Sequence, residues 1–200
     1  QINWMLSQGI TDVVFLCGYK GQMIKDYFGD GKRFGFNAHY SFEKEPLGRG
    51  GAIKKGITIL PKGIDTILVT NGDNVTNQPL SELYELQNSS NAVATMMLVP
   101  FRSQYGVVEI SKNGLVEKFV EKGNLPFWIN AGVYLFDRGI FNYLPDAGDH
   151  ETSTFPALAR QGSLAAIKSR STWLTIDTQK DISSCETLLK RMGVSAIGDV

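Results

Sequence analysis

Hydrophobic and polar positions along this chain change period several times, and each change predicts a new element. Ile2, Met5 and Leu6 recur at helical spacing, so Gln1 to Gln8 predicts the second half of an amphipathic helix. Because the chain opens inside that helix, a preceding segment is expected to be missing from it. Val13 to Leu16 is an apolar run that predicts a strand ending at Gly18, followed by a short helix from Gln22 to Phe28 and a turn over 29–32. His39 to Phe42 reads as extended. Gly48-Arg49-Gly50-Gly51 predicts a glycine loop that opens a helix from Ala52 to Leu60. Thr66 to Thr70 predicts a buried strand that runs out at Asn71-Gly72-Asp73, and Pro79 takes the favoured early position of a helix reaching Gln87. Ala92 to Val99 predicts the next strand, closed by Pro100.

The alternation of strand and helix predicts a parallel sheet with right-handed crossovers. From Tyr105 the rhythm turns to β. Val107 to Ile110 and Leu115 to Val120 flank Asn113-Gly114, the signature of a hairpin turn. Trp128 to Phe136 predicts a further strand, Thr152 to Arg160 a helix, and Leu164 to Ile167 and Trp173 to Asp177 two more strands. A helix from about Asp181 to Met192, stopped at Gly193, closes the pattern. The fold class expected is α/β, with one domain over 1–200 and a β-rich insertion in its second half.

Composition narrows the chemistry. The 200 residues carry 20 basic and 20 acidic side chains, and this neutrality argues against a nucleic-acid-binding surface. No apolar stretch approaches bilayer length. The two cysteines, Cys17 and Cys185, have no metal-like spacing and suggest a reducing, cytoplasmic setting. Homo-oligomerisation is left open.

Five stretches carry chemistry. Gly72-Asp73 follows a strand, where ligands bind in open α/β sheets, so Asp73 is a metal-ligand candidate, with an ordinary Asn-Gly turn as the alternative. Glu45-Pro46-Leu47-Gly48-Arg49-Gly50-Gly51-Ala52 puts glycines at a helix start, where a base or phosphate can approach, or it is a plain flexible turn. Tyr105-Gly106 and Glu121-Lys122 bracket the hairpin; a lysine there suits phosphate, although most surface Glu-Lys pairs are solvated strand ends. Asn130 lies among small residues inside a strand and needs a partner for its amide. Asp177 ends a second strand; it either converges with Asp73 as a hard-cation site or caps a helix.

The five stretches occur in an order that resembles the sugar-1-phosphate nucleotidyltransferases. Glu45-Pro46-Leu47-Gly48 with Gly51-Ala52 resembles that family's E-P-L-G-T-x-G-A nucleotide loop. Gly72-Asp73 resembles its first metal aspartate, and Asp177, in Trp-x-x-x-Asp-Thr, its second. Tyr105-Gly106-Val107-Val108 and Glu121-Lys122 resemble its Y-G-x-V and E-K-P segments, and Asn130-Ala131-Gly132-Val133-Tyr134 resembles its N-A-G-I-Y segment. The resemblance implies a mainly parallel Rossmann-like sheet flanked by helices, with a sugar-binding insertion. It implies nucleotidyl transfer from a nucleoside triphosphate to a sugar-1-phosphate, releasing pyrophosphate, and it leans towards mannose- or heptose-type guanylyl transfer. Mg²⁺ between Asp73 and Asp177 is implied as cofactor. Lys122 would hold the sugar phosphate with Tyr105 and Gly106, Glu121 and Asn130 would read the sugar, and residues 45–51 with Gly72 would admit the nucleotide. The family's opening strand and G-G-x-G-T-R-L loop have no counterpart here, Arg49 replaces a threonine, and Gly123 replaces a proline. These departures leave two alternatives, a non-catalytic nucleotide-sugar-binding partner and thymidylyl, uridylyl or cytidylyl transfer to glucose-1-phosphate. A glycosyltransferase is disfavoured because no Asp-x-Asp occurs.

Overall fold

The computed structural model describes residues 1–191. In chain order the first half contains α1 (Ile2–Ser7), β1 (Asp12–Cys17), α2 (Gly21–Phe28), β2 (Asn37–Phe42), α3 (Gly48–Ile57), β3 (Thr66–Thr70), β4 (Asn74–Thr76) and α4 (Leu80–Ser90). The second half contains β5 (Ala94–Arg102), β6 (Val107–Ile110), β7 (Val116–Val120), β8 (Asn124–Asp137), α5 (Thr154–Arg160), β9 (Leu164–Lys168), β10 (Trp173–Thr175) and α6 (Gln179–Arg191). The expected helix stop at Met192-Gly193 lies outside the described residues. No described helix is long and apolar enough to cross a membrane.

The central sheet has the order β3-β8-β5-β9. β5 and β9 are parallel, while β8 runs antiparallel to both β3 and β5. Three of the four strands therefore share one direction, and the expected α/β class holds in a mixed sheet. β3 and β5 are not neighbours, although one helix joins them, because β8 lies between. Its residues Ala131 to Phe136 are all buried, as a strand covered on both faces requires. Tyr134 and Phe136 point into one core with Ile53, Ile57, Ile140 and Phe155. Ala131, Val133 and Leu135 alternate into the other, with Leu83, Met97 and Val99.

β1 pairs in parallel with β2, and the crossover helix between them, α2, buries Phe28 against Phe15 with ring centroids 5.0 Å apart. A third core of Ile2, Met5, Phe34 and Phe36 lies beneath this pair and includes Leu68 of β3 at its edge. Between β1 and β3 is a cleft of about 2040 Å³, lined by Val13, Phe15, Ile53, Leu68 and Asp73 among others.

Several boundaries move. α3 begins at Gly48, so Gly50 and Gly51 are helical residues and not loop. Both are buried because a Cβ on either would strike residues 145–150, and that close packing outweighs the low helix propensity of glycine. β8 starts at Asn124, before Trp128, since its exposed first half continues the ladder with β5. β4 is a strand the apolar pattern does not announce; it exists because β10 pairs with it. The hairpin β6–β7 forms as expected around Gly114, whose φ is +83°. All five residues of β7 are exposed.

Candidate active site

The site is built where three strand ends meet. Thr175 of β10 lies opposite Asn74 of β4, and the Ile176 N–H donates to the Asp73 carbonyl at 2.9 Å. Asp73 and Asp177 consequently leave neighbouring strands at the same end. Two cross-links fasten this pair of strands to β8: the Asn74 amide donates to the Ala131 carbonyl at 2.6 Å, and the Trp173 indole donates to the same oxygen at 2.8 Å. A cavity of about 440 Å³ lies here, lined by Asp73, Asp177, Asn130, Arg49, Glu151 and Trp173 among others.

Asp73 and Asp177 are exposed, and neither makes an ion pair among the described residues. Asp177 Oδ1 accepts from the Thr175 hydroxyl at 3.2 Å. It does not cap the following helix. Asp181, in the first turn of α6, instead reaches back to the residue before the helix, its Oδ2 accepting from the Thr178 hydroxyl at 2.7 Å and the Thr178 N–H at 2.8 Å, which holds its carboxyl below the usual range. No cluster of three or more potential ligands converges among the described residues. Two carboxylates suit a hard cation that takes its remaining oxygens from phosphate and water.

A bulge in β8 shapes the cavity wall. Met96 pairs with Tyr134 and Leu98 with Asn130, so two steps along β5 match four along β8. Gly132 sits in the bulge with φ +69°, and a Cβ there would collide with the amides of Asn71 and Asn74. The Asn130 amide is fully engaged. Its Nδ2 donates to the Tyr134 hydroxyl at 2.7 Å and to Glu151 Oε1 at 2.8 Å, and its Oδ1 accepts from the Gly132 N–H at 3.0 Å. Tyr134 in turn donates to Glu151 Oε1 at 2.9 Å. Burial and the neighbouring Glu151 carboxylate push its phenol well above its usual value.

Arg49 closes the network. Its Nη2 meets Glu151 Oε2 at 2.8 Å, its Nε donates to Asp149 Oδ2 at 3.0 Å, and Nη2 also bonds Asp149. The hydrogen bond to Asp149 raises the guanidinium further. The Asp149 carboxyl is held below its usual range: burial opposes this, but the Glu151 N–H and Arg49 outweigh it. Between these acids His150 is 1% exposed, and neither ring nitrogen has a hydrogen-bond partner among the described residues. Burial pushes its pKa down.

The segment over 145–151 is locked to the start of α3. Gly148 N–H donates to the Leu47 carbonyl at 2.7 Å, and the Gly50 N–H donates to the Gly148 carbonyl at 2.8 Å. A Cβ on Gly48, at φ +71°, would lie 2.7 Å from that same carbonyl oxygen.

The residues expected from the sequence divide accordingly. Asp73, Asp177, Asn130 and Arg49 share the smaller cavity. Pro46, Gly48, Arg49, Gly72 and Asp73 border the larger cleft. Glu45 is exposed outside both, Leu47 is half-buried, and Gly50 and Gly51 are packed against 145–150. Tyr105, Gly106, Glu121 and Lys122 lie at the hairpin and line neither cavity. Asn71, Asn74, Asp149 and Glu151 belong to the site without having been singled out from the sequence. The signal for the last two was a pair of acids around His150, just ahead of a helix.

Comparison with known proteins identifies the family. The family model described as "Nucleotidyl transferase" matches residues 1–190. A mannose-1-phosphate guanyltransferase of Neurospora crassa is 31% identical over 194 residues, covering 90% of this chain and 52% of that protein. A D-glycero-alpha-D-manno-heptose 1-phosphate guanylyltransferase of Aneurinibacillus thermoaerophilus is 38% identical over 144 residues, covering 70% of this chain and 61% of that protein. The chain thus spans about half the length of the first of these relatives. The crystal structure of HddC from Yersinia pseudotuberculosis, also solved as a complex with GMP-PN, superposes with TM-score 0.71 at 24% identity, over 94% of this chain and 83% of that one. A family match over nearly the whole chain places the protein in the nucleotidyl transferase family.

Proposed function

We propose that this protein joins a nucleoside triphosphate to a sugar-1-phosphate, releasing pyrophosphate, with guanylyl transfer to a mannose- or heptose-type sugar as the preferred chemistry. The observation that carries the reading is the convergence of Asp73 and Asp177 on one cavity that also holds Asn130. The sugar phosphate oxygen attacks the α-phosphorus in line, so catalysis rests on positioning and charge neutralisation. Asp73 and Asp177 would hold Mg²⁺, which, when bound, neutralises phosphate charge. Pro46, Gly72 and the first two residues of α3, Gly48 and Arg49, border the cleft in which the nucleotide would lie.

Lys122 is proposed to meet the sugar phosphate, with Tyr105, Gly106 and Glu121 beside it, when the β6–β7 hairpin folds towards the cavity. A cytoplasmic setting fits the two buried free thiols, Cys17 and Cys185.

The test is pyrophosphate release by the full natural protein with Mg²⁺, each nucleoside triphosphate and a panel of sugar-1-phosphates. Release from GTP with mannose- or heptose-1-phosphate is expected. Silence from every pair would refute the reading, and release only with other pairs would correct its substrates.

A further inference from the structure

Within the cavity that the proposed function gives to the sugar-1-phosphate, we infer that Arg49 and Glu151 act together as a specificity element, clasping one vicinal diol of the sugar. The Asn130 amide has no free hydrogen. Both of its amide hydrogens are spent on Tyr134 and Glu151, and its oxygen already accepts from Gly132. It has no donor left for a ligand, so it orients its neighbour.

That neighbour is Glu151. Its Oε1 accepts from Asn130 at 2.8 Å and from Tyr134 at 2.9 Å, which fixes the carboxylate plane against a fully buried ring. Among the described residues its Oε2 meets only Arg49 and keeps a lone pair, and the side chain is 27% exposed. Arg49 is fixed on the other side, through Nε and Nη2 on Asp149, while Nη1 has no partner among the described residues. The pair therefore presents one acceptor and one donor, side by side. Adjacent hydroxyls match this arrangement: one donates to the carboxylate and the next accepts from the guanidinium. Both side chains line the smaller cavity with Asp73 and Asp177. Glu151 does not line the larger cleft, which favours the sugar over the nucleotide ribose as the source of the diol.

The full natural protein, Glu151→Gln and Arg49→Gln are titrated calorimetrically with α-D-mannose 1-phosphate and its 2-, 3- and 4-deoxy analogues, in Mg²⁺. Loss of a hydrogen bond to a charged group corresponds to roughly tenfold weaker binding. The expected result is a tenfold loss for Glu151→Gln with the parent sugar and no loss with one deoxy analogue. Arg49→Gln should show the same pattern with the analogue lacking the adjacent hydroxyl, and thermal melts should report folded variants. The inference is overturned if Glu151→Gln binds the parent sugar like wild type, if no analogue closes the gap, or if wild type binds no sugar phosphate. It is also overturned if the coupling appears with 2′- or 3′-deoxynucleotides, which would assign the diol to ribose. Pyrophosphate release separates the two claims. Turnover without coupling keeps the function and discards the clasp, whereas coupling without turnover does the reverse.

Discussion

Two regions carry the residues to which the proposed function gives roles, and they are held in different ways. The rim bearing Asp73, Asn130 and Asp177 is tied to the buried second half of β8, through Asn74 and Trp173 on the Ala131 carbonyl. The hairpin bearing Glu121 and Lys122 is a two-stranded sheet of its own, with Phe119 64% and Ile110 67% exposed. An isolated hairpin has little intrinsic stability in water. On the proposed function, the cation-holding residues would sit on the core, and the sugar-phosphate contacts on a hairpin that forms a sheet of its own. The comparison predicts that rim substitutions cost activity outright, while hairpin substitutions change affinity.

The largest effect is expected for Asp177→Asn. Loss of one carboxylate from a two-carboxylate cation site should lower kcat by about 10³-fold or more, the equivalent of several kcal/mol of charge stabilisation. Because Asp177 is exposed and caps no helix, the melting temperature should stay within a degree or two, read by circular dichroism. Gly132→Ala comes next. Its positive φ and the collision with Asn71 and Asn74 should destabilise the fold by about 1–3 kcal/mol, measured by urea unfolding, and should also cost activity.

Lys122→Gln tests the hairpin. A point charge on phosphate should be visible as about a tenfold higher KM for the sugar phosphate with kcat and unfolding unchanged. An unchanged KM would confine the site to the rim. The smallest effect concerns pH. His150 is buried neutral, so its folded pKa lies below its unfolded one. The folded state thus has its full stability above the unfolded value and loses it as pH falls towards the depressed folded value. His150→Phe should flatten that acid limb in thermal melts between neutral pH and pH 5. The nearby Asp149 and Glu151 carboxylates oppose the loss, and Arg49 adds to it.

Most of the framework could be read from the chain because it is local. The apolar run before Asp73, the hairpin turn at Asn113-Gly114 and the burial of Val133 to Phe136 each follow from period and turn chemistry. What the sequence hid is non-local. β8 inserts between β3 and β5, and no helical spacing announces a strand that returns antiparallel. β4 exists only through its pairing with β10. Glu151 becomes a site residue because residues 145–151 pack on the glycines of α3, so those glycines serve a close approach between backbones. Asn130 could be singled out for needing a partner, but not the partner itself, which lies 21 residues on.

If the reaction takes place at the rim between the two strand ends, single-turnover pyrophosphate release by the full natural protein and by Asp73→Asn, with Mg²⁺ and whichever substrate pair the wild type uses, tests it most simply. One exponential phase is expected from the wild type and none above background from the variant, with both proteins folded. A phase of equal rate from Asp73→Asn would contradict a reaction at the rim.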